Sequence, residues 1–127
     1  MAGEFKDKKI LLVDDDAEVL RSLELTLADT GAQIDTAGDG NTAIEKAKSN
    51  PPDLMILDLM MPKRSGFLVL QSLKQGKKKT DPPRVIVITG NTGVRHRVYA
   101  ENLGAEAYLH KPFRIDRLME AVTQLLS

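Results

Sequence analysis

The sequence has no cysteine among its 127 residues. Thiol nucleophiles, disulfides and Cys-ligated zinc are therefore excluded, although the compartment is not fixed by this. It also has no excess charge: 18 basic residues balance 18 acidic ones. Bulk electrostatics thus predicts neither a nucleic-acid nor a membrane partner. No apolar run is long enough for a membrane span or a signal peptide, so a cytoplasmic location is the default expectation. There is no internal repeat and no low-complexity block. Lys77-Lys78-Lys79 comes nearest to one, and it reads as a solvated loop.

The length suits one ordinary domain with its own core. The first residues, Met1-Ala2-Gly3-Glu4-Phe5, look unlike the rest. Residues 1–7 are therefore set aside as a tag-like, disordered start, and 8–127 are taken as the domain. Within it, apolar runs alternate with helical spacing. Lys9 to Val13 reads as a buried strand. Val19, Leu20, Leu23 and Leu27 then recur as one helix face, closed by Gly31. Gln33 to Ala37 is a weaker strand, interrupted by Asp35, and Asn41 to Lys48 a short helix broken by Pro51-Pro52. Asp53 to Leu57 forms a strand ending at Asp58. A helix using Phe67, Leu70 and Leu73 ends at Gly76. Arg84 to Ile88 is the cleanest β run and is followed by Thr89. Val94 to Leu103 is a helix capped by Gly104, and Ala107 to His110 a last strand. Ile115, Leu118, Val122 and Leu125 give the core face of a final helix.

Five strands alternate strictly with five helices, which predicts an α/β fold with a parallel sheet covered on both faces. Right-handed crossovers leave few strand orders. The expected one is 2-1-3-4-5, a doubly wound, flavodoxin-like sheet with its crevice at the C-terminal ends of strands one and three. Asp14, Asp15, Asp58, Thr89 and Lys111 each follow a strand, so five residues distant in sequence are predicted to share one rim.

The stretch "LLVDDDAE" (Leu11 to Glu18) stacks three acids where a buried strand ends. Two carboxylates about 4 Å apart repel by about 4 kcal/mol at an effective dielectric near 20. Solvent, a helix N-terminus or a cation must offset this. Asp15 with Glu18 fits a capping box. Asp58 changes the balance, because it closes another apolar strand and has no cap to make. Three carboxylates on adjacent strand ends suit a hard cation such as Mg²⁺. The plainer reading of Asp58 in Asp58-Leu59-Met60-Met61-Pro62 is a turn aspartate. Thr89-Gly90 offers a hydroxyl and room for backbone approach, or merely a β-branched strand end. Lys111-Pro112-Phe113 offers a point charge to an anion, or a solvated lysine, with a cis Pro112 peptide as one way to make the turn.

Each signal is weak alone. Together, Asp-Asp, Asp-x-x-Met-Pro, Thr-Gly and Lys-Pro-Phe, each closing its own strand, resemble the receiver domain of two-component response regulators. The resemblance runs from Lys9 to Leu126. It implies that Asp58 is the phosphoacceptor, taking a phosphoryl group from a phosphohistidine. It implies Mg²⁺, with Mn²⁺ as a substitute, held by Asp14, Asp15, Asp58 and the backbone carbonyl of Met60. Thr89 and Lys111 would bind phosphoryl oxygens. Such a domain is not an enzyme beyond its own phosphorylation and dephosphorylation. Thr89 and Tyr108 match the family's switch pair, and Met60 and Asn91 the positions that tune phosphoryl lifetime. An apolar Met60 cannot orient a water, so slow to intermediate self-dephosphorylation is expected. The implied partners are a sensor histidine kinase or histidine phosphotransfer protein upstream, and a protein or output domain downstream. The downstream partner would be read through the fourth helix, fifth strand and fifth helix, including Arg95, His96, Arg97 and Tyr99. No direct nucleic-acid contact is implied. His96 and His110 lack a second ligand at metal spacing and read as non-catalytic.

In Asp14 and Asp15 the order of roles is expected to be metal binding, the second directly and the first through water. Asp16 is expected to face the first helix N-terminus instead. Without a cation, at least one carboxylate should have a raised pKa. Two rivals remain. Asp14-Asp15-Asp16 fits the Asp-x-Asp of a haloacid-dehalogenase-type phosphatase, but that reading leaves Asp58 unexplained. Gly38-Asp39-Gly40-Asn41-Thr42-Ala43 fits a dinucleotide fingerprint, but Asp39 puts negative charge where a pyrophosphate would approach. The segment after Leu126 has no room for an output domain. A single-domain regulator, a relay intermediate and a receiver cut from a larger protein all remain open.

Overall fold

The apolar strands pair as five parallel neighbours in the order β2-β1-β3-β4-β5. They are β1 (Lys9–Val13), β2 (Gln33–Ala37), β3 (Leu54–Asp58), β4 (Arg84–Thr89) and β5 (Ala107–His110). The structure is a computed structural model, and residues 3–61, 64–90 and 93–127 are described. Between the strands lie α1 (Ala17–Leu27), α2 (Gly40–Ser49), α3 (Gly66–Lys74), α4 (Val94–Asn102) and, last, α5 (Ile115–Leu126). A short 3₁₀ turn, Ala28–Thr30, extends α1 to Gly31, whose φ of 78° needs no Cβ.

Because strand side chains alternate, each central strand feeds two cores. Leu11, Val13, Met55, Leu57, Val85 and Val87 face one side. Ile10, Leu12, Leu54, Ile56, Ile86 and Ile88 face the other, against α1 and α5. β2 and β5 are the edge strands, and β2 has the more exposed residues. Asp35 is tolerated there because it is exposed and accepts from Lys46 Nζ at 3.0 Å, which holds its carboxyl below the usual value.

Several details depart from the sequence reading. Phe5, set aside with a disordered start, is buried in the α1/α5 core, and its amide donates to the Thr30 carbonyl at 2.7 Å. The apolar ring finds a gap beside α1 that no periodicity foretells. Ile115 is 59% exposed rather than on the core face, because it is the first helical residue, before α5 turns inward; Leu126 is buried at the other end. The α1 cap is Asp16, as expected from the sequence, and not the Asp15 of the capping-box pattern: its carboxylate accepts from the Glu18 amide at 2.9 Å. Asp39 caps α2 by accepting from the Thr42 amide at 2.8 Å. A Cβ on Gly40 would lie 2.3 Å from the Arg64 carbonyl. The G-x-G-x-x-A segment thus packs a helix start against a neighbouring loop, with a carboxylate already on the Thr42 amide, where a pyrophosphate would have to bind.

Lys74, which no motif marked, is buried at the end of α3. Its Nζ donates to the carbonyls of Lys78 (2.9 Å), Lys79 (3.2 Å), Asp81 (2.5 Å) and Pro83 (3.1 Å). One ammonium thereby organises the whole loop before β4. Burial lowers its pKa, with Glu106 and Asp81 opposing. Replacing Lys74 by Met keeps the stem but leaves those carbonyls without their donor. Lys74→Met is expected to lose about 2 kcal/mol in urea unfolding, and an unchanged midpoint would show that water satisfies the loop equally well.

Candidate functional site

The parallel arrangement sends every strand's C-terminus to one edge of the sheet, and the polar residues found in the sequence follow those ends. Val13 pairs with Leu57, Asp58 with Ile88, and Thr89 with His110. Asp14 therefore begins one residue beyond the Val13–Leu57 pair, alongside Asp58. One carboxylate oxygen from each of Asp14, Asp15 and Asp58 lies within 4.8 Å of the others.

The backbone around Asp58 is close-packed. The Gly66 amide donates to the Leu59 carbonyl at 3.0 Å. A Cβ there would sit 2.4 Å from the Asp58 carbonyl, so a glycine is required where α3 starts against the tip of β3.

The two buried acids differ in their partners. Asp14 is fully buried; its Oδ1 accepts from the Asp16 amide at 2.9 Å and its Oδ2 from Lys111 Nζ at 2.7 Å. Asp58 is 4% exposed; its Oδ1 accepts from the Met60 amide at 3.1 Å and its Oδ2 faces Lys111 Nζ at 3.5 Å. Asp15 is exposed. Lys111 is thus nearer Asp14 than Asp58, a pairing the sequence did not suggest. Its own amide donates to the Thr89 carbonyl at 2.7 Å, and the peptide to Pro112 is cis. Thr89 is fully buried at the tip of β4.

Burial pushes the Asp58 carboxyl above the usual carboxylate range. The Met60 amide opposes this, the Asp14 charge adds to it, and Lys111 opposes it. A raised carboxyl was expected here, but desolvation, rather than repulsion between acids, is the main cause. Burial alone would lower the Lys111 ammonium. Its bond to Asp14 and the charges of Asp58 and Asp14 instead hold it above the ordinary lysine value.

The oxygen set fits a hard divalent cation. Such ions take carboxylate and carbonyl oxygens, and one oxygen of each acid lies within 4.8 Å of the others. Both Asp14 oxygens already accept a hydrogen bond, which suits contact through water, whereas the exposed Asp15 can approach directly.

The Met60 side chain is exposed and only its amide reaches Asp58. Tyr108 is half-buried, with Arg97 above its ring at 5.9 Å, and burial raises its phenol. Phe67 stacks against His96 at 5.7 Å and lies tilted against Tyr99 at 5.2 Å, joining α3 to α4. Asn91 lies outside the described residues. No helix among the described residues is long and apolar enough to cross a membrane.

Comparison with known proteins agrees with this geometry. The family described as response regulator receiver domain matches residues 10–123. The "Probable transcriptional regulator ycf27" of Porphyridium aerugineum is 38% identical over 119 residues, covering 94% of this chain and 48% of that protein. Response regulator MprA of Mycobacterium ulcerans is 36% identical over 118 residues, covering 93% and 50%. The chain thus spans about half the length of these relatives. Among solved structures, the Francisella response regulator 1452 receiver domain superposes with a TM-score of 0.82 at 26% identity, covering 94% of this chain and 96% of that one. The CheY-like receiver domain protein of Methanospirillum hungatei JF-1 gives 0.82 at 29% identity, covering 94% and 93%. With strand order, acidic rim and lysine all in place, the chain belongs to the response regulator receiver domain family.

Proposed function

We propose that Asp58 is the phosphoacceptor of this receiver domain and that Asp14 and Asp15 hold Mg²⁺ beside it. The observation that supports this best is the juxtaposition of three carboxylate oxygens within 4.8 Å with a lysine ammonium bridging two of them. A carboxylate buried at a strand tip, facing an ammonium, is placed to become an acyl phosphate. An Asp58 oxygen attacks the phosphorus, the bond from phosphorus to the donor histidine nitrogen breaks, and that nitrogen keeps the electron pair. Met60 N–H holds Oδ1, which orients the carboxylate. Lys111 supplies positive charge where phosphoryl oxygens arrive. Mg²⁺, or Mn²⁺ in its place, would add further charge neutralisation, held by Asp15, Asp58, the Met60 carbonyl and, through water, Asp14.

The donor in this reading is a sensor histidine kinase or histidine phosphotransfer protein. Thr89 then follows the phosphoryl group, Tyr108 follows Thr89, and the face made by α4, β5 and α5 passes the change to a partner or output domain. The exposed Met60 side chain cannot activate water and Asn91, the second tuning position, can do so weakly, which favours slow to intermediate self-dephosphorylation. As in its family, the domain acts as a signalling phosphoacceptor rather than as an enzyme on other substrates.

Incubation with a small acyl phosphate and Mg²⁺ is expected to add the mass of one phosphoryl group, labile to base and absent in Asp58→Asn. An adduct that persists in that variant would place the acceptor elsewhere. Mg²⁺ should raise the melting temperature, with about 2.7 kcal/mol of stabilisation at a hundredfold excess over Kd. Asp15→Ala should lose that response, whereas Asp16→Ala should keep it and lose only the cap, about 1 kcal/mol. Equal loss in both variants would count against separate roles.

The raised Asp58 carboxyl also has a stability consequence in metal-free protein. Below the ordinary value of 3.8 the group is protonated both folded and unfolded, and the cost of burying its charge is absent. That cost grows as pH rises through the higher folded value. Asp58→Asn removes it. In the presence of a chelator the variant should therefore melt above the parent at pH 7, with the gap closing as pH falls toward 3.8. A lower-melting variant at pH 7 would reverse the assigned sign.

A further inference from the structure

β4 lies between β3, which carries Asp58, and β5, which carries His110. Any movement of the Thr89 end of β4 toward Asp58 is therefore movement away from β5. Two successive residues of β5 and its exit hold that end. The Lys111 amide donates to the Thr89 carbonyl at 2.7 Å, the last step of the backbone pairing. The His110 ring then reaches one residue further, with Nε2 3.2 Å from the Gly90 carbonyl oxygen. A carbonyl can only accept, so Nε2 carries the proton. Thr89 and His110 are register partners, so the imidazole spans a short, fixed gap.

Gly90 itself is exposed. A Cβ there would meet nothing within 4 Å, and its φ is not in the left-handed region. Gly90 has no side chain to anchor it, so a side-chain hydrogen bond to its carbonyl can decide its position. His110 shares with Tyr108 a cavity of about 290 Å³ whose other lining residues are Gly93, Val94 and Arg97. The imidazole thus stands on the side of the sheet where the half-buried Tyr108 ring lies, and it ties that side to the loop after Thr89.

We propose that His110 is a positioning residue: a latch that holds the Gly90 carbonyl, and with it Thr89, toward β5, and that opens when Thr89 turns to a phosphoryl oxygen on Asp58. The proposal rests on the phosphoacceptor reading above. It assigns His110 no contact with the phosphoryl group. Loss of the hydrogen bond should leave the acceptor chemistry in place and shift the balance between the two positions of Thr89.

The test compares the full chain, His110→Ala and His110→Gln, each with Mg²⁺ and sub-saturating beryllofluoride. The Thr89 amide and Gly90 carbonyl NMR shifts report the ratio of switched to unswitched molecules. His110→Ala is expected to raise that ratio about two- to tenfold, the equivalent of one ordinary hydrogen bond. His110→Gln, whose amide can donate to the same carbonyl at any pH, should return it toward the parent. Parental behaviour in His110→Ala, or equal shifts in both variants, would overturn the latch. Phosphoryl mass on Asp58, measured separately with a small acyl phosphate, keeps the two readings apart. An adduct in all three proteins with no change in ratio removes the latch alone. No adduct in any of them removes the phosphoacceptor reading.

Discussion

The burial of a parallel sheet on both faces is the constraint from which the site follows. Parallel strands must all end on the same edge, and their middles must be apolar because helices cover them on both sides. Polar residues can therefore enter β1, β3 and β4 only at the tips, and the tips are neighbours. Asp14, Asp58, Thr89 and Lys111 are drawn from residues 14 to 111 of the chain, yet the sheet places them within a few side-chain lengths. Moving one of these groups inward by a residue would turn it into one of the two cores.

That placement creates an electrostatic problem which the same residues resolve in part. Two acids at the tips of adjacent strands are almost without solvent. Lys111, delivered by the last strand, binds one and approaches the other. Backbone amides of Asp16 and Met60 occupy one oxygen of each. What remains is a carboxyl at Asp58 raised chiefly by desolvation, beside an exposed Asp15. Such a pocket favours anything that brings in positive charge and oxygen-loving geometry.

Away from the rim, other polar groups hold the frame without belonging to the chemistry. Arg84 grips Glu106 through two 2.6 Å bonds and also reaches the Leu125 carbonyl at 3.4 Å, tying β4, β5 and the end of α5 together. Lys74 does the same for the loop before β4. Both devices lie at the opposite ends of the strands from Asp58 and tie the base of the sheet rather than the rim.

The strand and helix order, the parallel sheet and the polar strand ends are all legible in the amino-acid chain. Hydrophobic period and turn residues are local properties, and a run such as Val85-Ile86-Val87-Ile88 between prolines and Thr89 admits little else. The sequence also separated Asp16, as the cap, from the two acids before it. The tertiary structure alone decided what depends on pairs distant in the chain. These include the closeness of Lys111 to Asp14 rather than Asp58, the burial of Phe5 beside α1, the carbonyl cage around Lys74, and the reach of His110 to Gly90. No local pattern encodes these contacts, because each exists only after strands or helices far apart in the chain have packed side by side.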